Sequence, residues 1–105
     1  MEKLDLVIGV LEGLRDARAR VTNADKAGSI IREYNVSFIG DDWNVLESDM
    51  LYLALNKHFE LDIPDEQLHK ILPLACKWAG LEYTQAGNGY LIYFYPILFD
   101  SPIFL

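Results

Sequence analysis

Apolar residues recur at helical spacing in the first part of the chain, at Leu4, Val7, Leu11, Leu14 and Val21. These positions are three, four or seven residues apart and have charged residues between them, so they fall on one face of a helix. The pattern predicts an amphipathic helix over residues 3–20. Thr22 or Asn23 can then cap a second, shorter helix that ends near residue 33, because short polar side chains accept hydrogen bonds from the first free amides of a helix.

The middle of the chain combines a short β-prone stretch with a longer helical pattern. Residues 36–39 are rich in β-branched and aromatic side chains and are followed by Gly40, which predicts a short strand. Asp41 or Asp42 can cap a third helix that runs to about Phe59. Two apolar rows give this predicted helix an unusually wide apolar face.

Start and stop signals delimit a fourth helix over residues 64–79. Pro64 suits a first helical turn, and two acidic residues follow it at the positive end of the helix dipole. Gly80, directly after the helix, is a stop signal. Because Pro73 lies inside this span, either the helix kinks there or Pro73 opens a second short helix.

The last part of the chain predicts a β-hairpin. Residues 81–84 and 90–95 are β-prone and flank a glycine-bearing loop at residues 85–89. The second run is apolar on both alternating faces, which predicts that this strand is covered on both sides. The whole pattern predicts an α+β fold: a helix-rich single domain over residues 1–105 with a C-terminal β-hairpin.

The predicted order of elements resembles that of winged helix-turn-helix domains: helix, strand, two helices, strand, glycine-bearing turn and strand. In this winged-helix-like topology residues 36–39 would supply the third strand, and the resemblance covers most of the chain without a diagnostic motif. The family commonly places the helix that corresponds to residues 64–79 in the major groove of DNA. The resemblance therefore implies one function, that of a DNA-binding transcriptional regulator that uses this helix.

The chain departs from the basic surfaces of that family. The predicted helix does offer outward polar side chains, namely Gln67, His69, Lys70 and Lys77. It opens with Asp65 and Glu66, however, and the turn at residues 85–89 contains no Lys or Arg. DNA binders usually present basic side chains to phosphate, so these departures count against DNA binding. A DNA-binding regulator is therefore the alternative, not the leading hypothesis for function.

A shorter stretch resembles the second helix and following loop of acyl carrier proteins. The resemblance rests on residues 46–55, on Phe59 and on the run Ile63-Pro64-Asp65-Glu66. That family attaches its phosphopantetheine arm to the serine of an Asp-Ser-Leu motif, and the corresponding positions here are Asn44-Val45-Leu46. The attachment serine is therefore absent, and Ser48 lies one helical turn too late.

Charge is concentrated in one segment of the 105-residue chain. The chain has 9 basic and 16 acidic residues and a formal net charge of −7. Residues 41–66 contain one base, Lys57, and eight acids, which are Asp41, Asp42, Glu47, Asp49, Glu60, Asp62, Asp65 and Glu66. This segment carries the whole net charge, and it is interpreted either as an ordinary solvated surface or as an acidic face for a basic partner. A smaller basic stretch consists of Arg15, Arg18, Arg20, Lys26 and Arg32.

Composition excludes several classes of protein. The single cysteine, Cys76, cannot form an intramolecular disulfide, which excludes a disulfide-stapled secreted scaffold and favours a reducing cytoplasm. Acidic residues interrupt the N-terminal apolar pattern, and prolines and Asp100 interrupt the apolar end, so we expect neither a signal peptide nor a membrane span. The acidic balance offers no basic face to phosphate, so we expect no nucleic-acid partner.

Candidate chemistry along the chain is sparse. The candidate metal ligands are His58, Asp62, His69 and Cys76, and they include no tight Cys or His pair. Cys76 falls in the apolar row of the fourth helix, which favours a buried structural thiol. Neither histidine is spaced to activate that thiol as a nucleophile. We therefore predict no catalytic residue, no metal site and no cofactor, and a protein that is not an enzyme.

The apolar end of the chain exceeds what a small fold needs, because 12 of the 16 residues from 90 to 105 are apolar. This end either packs back on the core or forms an interface with a protein partner or a second copy, as in a weak homodimer. Tyr93, Tyr95, Phe99 and Phe104 are aromatic side chains of the kind that anchor interfaces. The leading hypothesis is a non-enzymatic, cytoplasmic protein–protein interaction domain with an acidic face. In its sharper form the protein is an inhibitor or regulator of nucleic-acid-handling machinery.

Overall fold

The structure, a computed structural model, describes residues 2–21, 23–40 and 42–95. The described residues form four helices and a three-stranded antiparallel sheet. The helices are α1 (Glu2–Arg18), α2 (Ala24–Tyr34), α3 (Ser48–Leu53) and α4 (Asp65–Ala79), and a π-helical turn, Ala54–His58, continues α3. The strands are β1 (Val45–Glu47), β2 (Glu82–Ala86) and β3 (Gly89–Tyr93), in the order β1-β3-β2. The predicted α+β class with a C-terminal β-hairpin is confirmed.

The first two helices follow the apolar pattern and the capping signals of the sequence. The predicted inner face of α1 is fully buried at Val7, Leu11 and Leu14. At the start of α2 the side chain of Asn23 accepts a hydrogen bond from the backbone N–H of Lys26 at 3.0 Å, as an N-cap does. The helix ends at Asn35, whose left-handed backbone (φ 56°) lets its N–H reach the carbonyl of Ile31.

The fourth helix also has the predicted stop signal. Gly80 follows α4 with a left-handed backbone (φ 74°), and the N–H of Leu81 donates to the carbonyl of Cys76 at 2.8 Å. Pro73 lies within α4, which continues through it as one helix. Pro64 is the N-cap residue rather than a member of the first turn, so the helix begins at Asp65.

The predicted strand at residues 36–39 is wrong, and β1 is the third strand instead. Val36 and Phe38 are buried in the core as loop residues. Ile39 makes an isolated bridge with Val45, held by backbone hydrogen bonds of 2.8 and 3.0 Å. The three residues of β1 pair with β3, which lies more than forty positions later, and a local pattern carries no sign of that contact.

The predicted start of the third helix is wrong as well. Asp42 lies in a turn, Asp41 lies outside the described residues, and α3 begins at Ser48. Left-handed backbone at Gly40 (φ 93°) and Trp43 (φ 52°) forms the turn that precedes β1. Because the residues after this turn hydrogen-bond to β3, their backbone is extended and cannot form the first turns of a helix.

The two last strands form the predicted hairpin with a shorter turn than predicted. Ala86 pairs with Gly89, so the turn contains only Gly87 and Asn88 rather than the whole of residues 85–89. Gly87 has a left-handed backbone (φ 59°), which glycine adopts without a steric penalty. Pairing with β3 therefore extends β2 two residues further than its β-propensity indicates.

Alternation along the strands gives the sheet two unlike faces. The inner face carries three side chains that are at most 4% exposed, Leu46, Ile92 and Phe94. On the outer face Leu91 and Tyr93 are half-buried, and Tyr95 is 84% exposed. The described residues thus cover one side of β3, and the predicted cover of its other side stays a prediction. Across these residues no helix is both long and apolar enough to cross a membrane.

Candidate functional site

Three carboxylates of the acidic segment line one open cleft. Glu47 ends β1, Asp49 lies in the first turn of α3, and Asp65 begins α4. Residues on both sides of the hairpin turn form the opposite wall of this cleft, which has a volume of about 250 Å³. We call it the acidic cleft, and define it by Glu47, Asp49 and Asp65. The fold thus brings together acids that are up to 18 positions apart in the sequence.

Ser48 joins the two walls of the acidic cleft. Its side chain is buried, and its Oγ accepts a hydrogen bond from the backbone N–H of Tyr90 at 2.9 Å. Gly89 permits this approach, because a Cβ at that position would lie 2.6 Å from Ser48 Oγ. The Ser48 hydroxyl therefore holds the start of α3 close to the hairpin, and the absence of a side chain at Gly89 leaves room for this contact.

Aromatic contacts position the imidazole that borders the cleft. The ring of His69 lies edge-to-face with the ring of Tyr90, at 5.7 Å between centroids, and Tyr90 makes a similar contact with Tyr83 at 5.6 Å. His69 Nε2 is 3.7 Å from a carboxylate oxygen of Asp65, one helical turn earlier on α4. The imidazole is therefore held between an aromatic ring and one acid of the cleft.

The carboxylates of the acidic cleft are exposed to solvent. In the described part of the chain no Lys or Arg lies within ion-pair distance of Glu47, Asp49 or Asp65. Asp49 and Asp65 lie in first helical turns, where free N–H groups and the helix dipole favour negative charge. The arrangement is suited to accept hydrogen bonds from an ammonium or guanidinium group.

The other predicted acids lie elsewhere. Glu66 is 4.0 Å from Lys70, one turn further along α4, and Asp42 is exposed in the turn before β1. Glu60 and Asp62 line a separate cavity of about 330 Å³. The eight acids therefore do not all converge, and three of them share the acidic cleft.

Asn56 fixes the loop that carries two of these acids. Glu60 and Asp62 both have left-handed backbone, with φ of 56° and 54°, which is uncommon for residues other than glycine. The Asn56 side chain donates to the carbonyl of Ile63 at 2.9 Å and accepts from its N–H at 2.5 Å. These two hydrogen bonds replace the backbone partners that the loop residue Ile63 would have in regular structure.

Of the four aromatic residues predicted to anchor an interface, the structure describes Tyr93 and Tyr95. Tyr93 is half-buried on the outer face of the sheet, and its hydroxyl lies 3.1 Å from the hydroxyl of Thr84. Tyr95 is largely exposed. Phe99 and Phe104 lie outside the described residues.

The candidate metal ligands are separated in the fold. His58 Nε2 lies 2.7 Å from the carbonyl oxygen of Glu33, and Cys76 is fully buried in the core. Burial raises the pKa of the Cys76 thiol to about 12, which keeps it protonated at neutral pH. Within the residues that the structure describes, no three or more His, Cys, Asp or Glu side chains are grouped to hold a metal ion.

Arg18 is a buried cation rather than a member of a basic surface stretch. Its two terminal nitrogens donate to the carbonyls of Trp43 (2.5 Å) and Tyr95 (2.8 Å). Its guanidinium carbon lies 4.5 Å from the ring centroid of Phe38 and 5.1 Å from that of Phe94. Among the described residues, no carboxylate pairs with it and its Nε has no hydrogen-bond partner. Burial lowers its pKa to about 10. We call this group the Arg18 cluster.

Some of these features have a signal in the sequence and others have none. The four-residue spacing of Asp65 and His69 indicates that they share a helix face, whereas the pattern around His69 predicts only a candidate metal ligand or a DNA-facing residue. The hydroxyl of Ser48 is visible in the sequence, but its contact with Tyr90 spans 42 positions and leaves no local signal. Nothing in the sequence distinguishes Arg18 from its exposed neighbours.

No protein-family model matches the chain, and no curated protein or solved structure is detectably similar to it.

Proposed function

We propose that this protein is a non-enzymatic interaction module whose acidic cleft binds basic side chains of a protein partner. The observation that carries the proposal is the convergence of Glu47, Asp49 and Asp65 on one open cleft without a Lys or Arg partner among the described residues. Carboxylates whose only role was to neutralise nearby Lys or Arg side chains would form ion pairs with those side chains. The three carboxylates of the acidic cleft instead remain available to an external ammonium or guanidinium group.

The elements that form the walls of the cleft are connected to one another, which suits the binding of a partner. The Ser48 hydrogen bond and the His69–Tyr90 contact connect α3, α4 and the hairpin around the three acids. A site built on such connected elements loses little conformational freedom when it binds, so more of the electrostatic attraction contributes to affinity.

A narrower form of the proposal is a regulator of nucleic-acid-handling machinery. Proteins of that class present basic surfaces that neutralise phosphate, and an acidic module can occupy such a surface in place of the nucleic acid. In this case duplex DNA and the acidic module should compete for the basic partner, and the competition should weaken with salt.

The test compares two variants of equal charge. The cleft variant combines Glu47→Gln, Asp49→Asn and Asp65→Asn, and a lysine-rich peptide serves as the probe. Exposed ion pairs contribute about 0.5 kcal/mol each, so the loss of three should weaken binding by about tenfold. Isothermal titration calorimetry at low and at moderate salt measures the change.

The matched control neutralises three exposed acids outside the cleft, with Asp5→Asn, Glu33→Gln and Glu82→Gln. It should leave the affinity within about twofold of the unmodified chain at moderate salt, where distant charges are screened. Equal weakening by the two variants would mean that the peptide responds to net charge alone, and would contradict the cleft as a site.

The second candidate is a DNA-binding regulator of winged-helix type that uses α4. It is favoured by the exposure of Lys70 and Lys77 on that helix. Titration with random-sequence duplex DNA at two salt concentrations tests it, because each lost phosphate contact reduces the salt dependence. Salt-sensitive binding that Lys70→Ala weakens would favour this candidate, whereas the interaction module should not bind the duplex.

A further inference from the structure

Strand β2 forms one edge of the sheet, and its outer side has no strand partner among the described residues. The sheet order is β1-β3-β2, so β3 pairs with one side of β2 only. All five residues of β2 are exposed. An edge strand of this kind presents unpaired N–H and C=O groups, to which another strand can add.

A hydrogen bond of β3 shows which backbone groups of β2 point outward. Tyr90 pairs with Gln85, and its N–H donates to Ser48 Oγ on the β1 side of β3. The backbone groups of Tyr90 thus point away from β2, so Tyr90 and Gln85 exchange no backbone hydrogen bonds. Gln85 therefore directs its N–H and C=O to the open edge. Tyr83, two positions earlier, does the same because the direction alternates along a strand.

The edge lacks the features that usually prevent strands from pairing there, which are lysine, proline and bulges. The sequence of β2, Glu82–Ala86, contains neither lysine nor proline, and its pairing with β3 continues without a bulge. An open groove of about 690 Å³ lies beside the strand and leaves room for an added strand.

The sequence of β2 is suited to pair with a second copy of itself. In an antiparallel arrangement with a two-fold axis at Thr84, Tyr83 of one copy lies opposite Gln85 of the other. These are the two residues with outward backbone groups, so each such pair exchanges both of its hydrogen bonds. Thr84 lies opposite Thr84 of the second copy, and threonine pairs across neighbouring strands are stabilising.

Charge favours this register and this part of the surface. Glu82 lies opposite Ala86 of the second copy, so like charges do not face each other directly. Among the residues that line the groove, the two charged ones are Lys77 and Glu82, which have opposite signs. The long-range repulsion between two chains of net charge −7 is screened at moderate salt.

We propose that two copies of this chain pair through β2 in this antiparallel register and join their sheets into one. The interface is isologous, because the same edge contributes from both copies. A second copy is favoured over an unrelated peptide because the sequence of β2 itself satisfies hydrogen bonding, side-chain pairing and charge in one register. A contact confined to two short strands is small compared with the roughly 1,200 Å² of a stable interface, so the dimer is transient. The proposal is independent of the acidic cleft.

Disulfide trapping tests the register. Thr84→Cys places two thiols at the two-fold axis, where the Cα atoms of the pair are about 4.5 Å apart, and this distance permits a disulfide. In Glu82→Cys the two thiols would lie about 14 Å apart along the strands. In a glutathione redox buffer Thr84→Cys should therefore form covalent dimers about tenfold faster than Glu82→Cys, as measured by mass spectrometry. Native Cys76 is fully buried and does not compete.

A mixture of two variants provides a matched control. The cysteines of Glu82→Cys and Ala86→Cys face each other across the proposed interface, so their mixture should form the mixed dimer faster than either variant forms its own. Equal rates for Thr84→Cys and Glu82→Cys would overturn the proposal. A mixture without preference for the mixed dimer would overturn it as well.

Amide exchange distinguishes a second copy from other occupants of the edge. The N–H groups of Tyr83 and Gln85 should exchange more slowly as the protein concentration is raised, whereas that of Thr84, which points toward β3, should not change. Slow exchange of the first two at every concentration would assign the edge to another segment of the same chain. Fast exchange at every concentration would leave the edge unpaired, and either result contradicts the proposal.

A proline at an outward position tests the backbone pairing. Gln85→Pro removes one N–H that points to the open edge, where proline is tolerated, so the hairpin should persist. Combined with Thr84→Cys, it should slow covalent dimer formation severalfold, whereas Gln85→Ala should not. Dimer formation at the same rate with Gln85→Pro and Gln85→Ala would show that the backbone of β2 does not pair with a second copy.

Discussion

The Arg18 cluster and the acidic cleft hold opposite charges in opposite ways. Arg18 is 3% exposed, lies against aromatic rings and donates to two backbone carbonyls, and no carboxylate of the described residues pairs with it. The three carboxylates of the cleft are exposed and have no Lys or Arg partner in the described ranges. Among the residues that the structure describes, the fold thus contains a buried cation without a carboxylate partner and a group of carboxylates without a Lys or Arg partner.

The difference separates charge that stabilises the fold from charge that is available for binding. A guanidinium can be buried without a carboxylate when its N–H groups reach carbonyls and its flat surface lies against aromatic rings. Removing it leaves the carbonyl of Trp43 without this donor in the interior. Exposed carboxylates keep their hydration, so their removal costs the fold little and instead affects what the surface attracts.

The largest effect is expected for the buried cation. Arg18→Ala removes two hydrogen bonds and leaves a cavity beside Phe38, and should lower the free energy of unfolding by about 3 kcal/mol. Arg18→Met, which keeps much of the volume, should lose less. Urea denaturation measures both, with the exposed Arg20→Ala as the control within about 0.5 kcal/mol of the unmodified chain. Equal losses for Arg18→Ala and Arg20→Ala would contradict a stabilising role.

An intermediate effect on stability is expected for Ser48 and Gly89, where α3 meets the hairpin at the acidic cleft. Ser48→Ala removes the acceptor of the Tyr90 N–H and should lower the free energy of unfolding by about 1–2 kcal/mol, compared with Ser29→Ala on an exposed helix surface. Gly89→Ala should be destabilising because its Cβ would approach Ser48 Oγ. That penalty should shrink when Ser48 is already Ala, which a double-mutant cycle in urea detects. Strictly additive losses would mean that the two residues do not meet.

The smallest effect on stability is expected for the cleft itself. The variant with Glu47→Gln, Asp49→Asn and Asp65→Asn loses favourable interactions with helix dipoles and gains relief from mutual repulsion. Its free energy of unfolding should therefore stay within about 1 kcal/mol of the unmodified chain. A loss as large as that of Arg18→Ala would show that these carboxylates stabilise the fold, and would remove the contrast between the two regions.

Local signals in the sequence were sufficient for α1, α2, α4 and the hairpin. The Asn23 cap, the Gly80 stop and the apolar row of α1 act within a few residues, so they can be recognised without the rest of the fold. The concentration of acids in residues 41–66 was likewise a property of the sequence alone.

Tertiary contacts determined the remainder. β1 is extended because Leu46 pairs with Ile92, although its sequence continues the helical pattern of the residues that follow. Arg18 is buried because two backbone carbonyls and three aromatic rings from distant segments meet around it. Asp65 joins Glu47 and Asp49 because the hairpin contacts both helices: the N–H of Tyr90 donates to Ser48 of α3, and the ring of Tyr90 lies against His69 of α4. Local propensities are worth a few tenths of a kcal/mol per residue, and pairing or burial contributed by distant segments exceeds them wherever the two disagree.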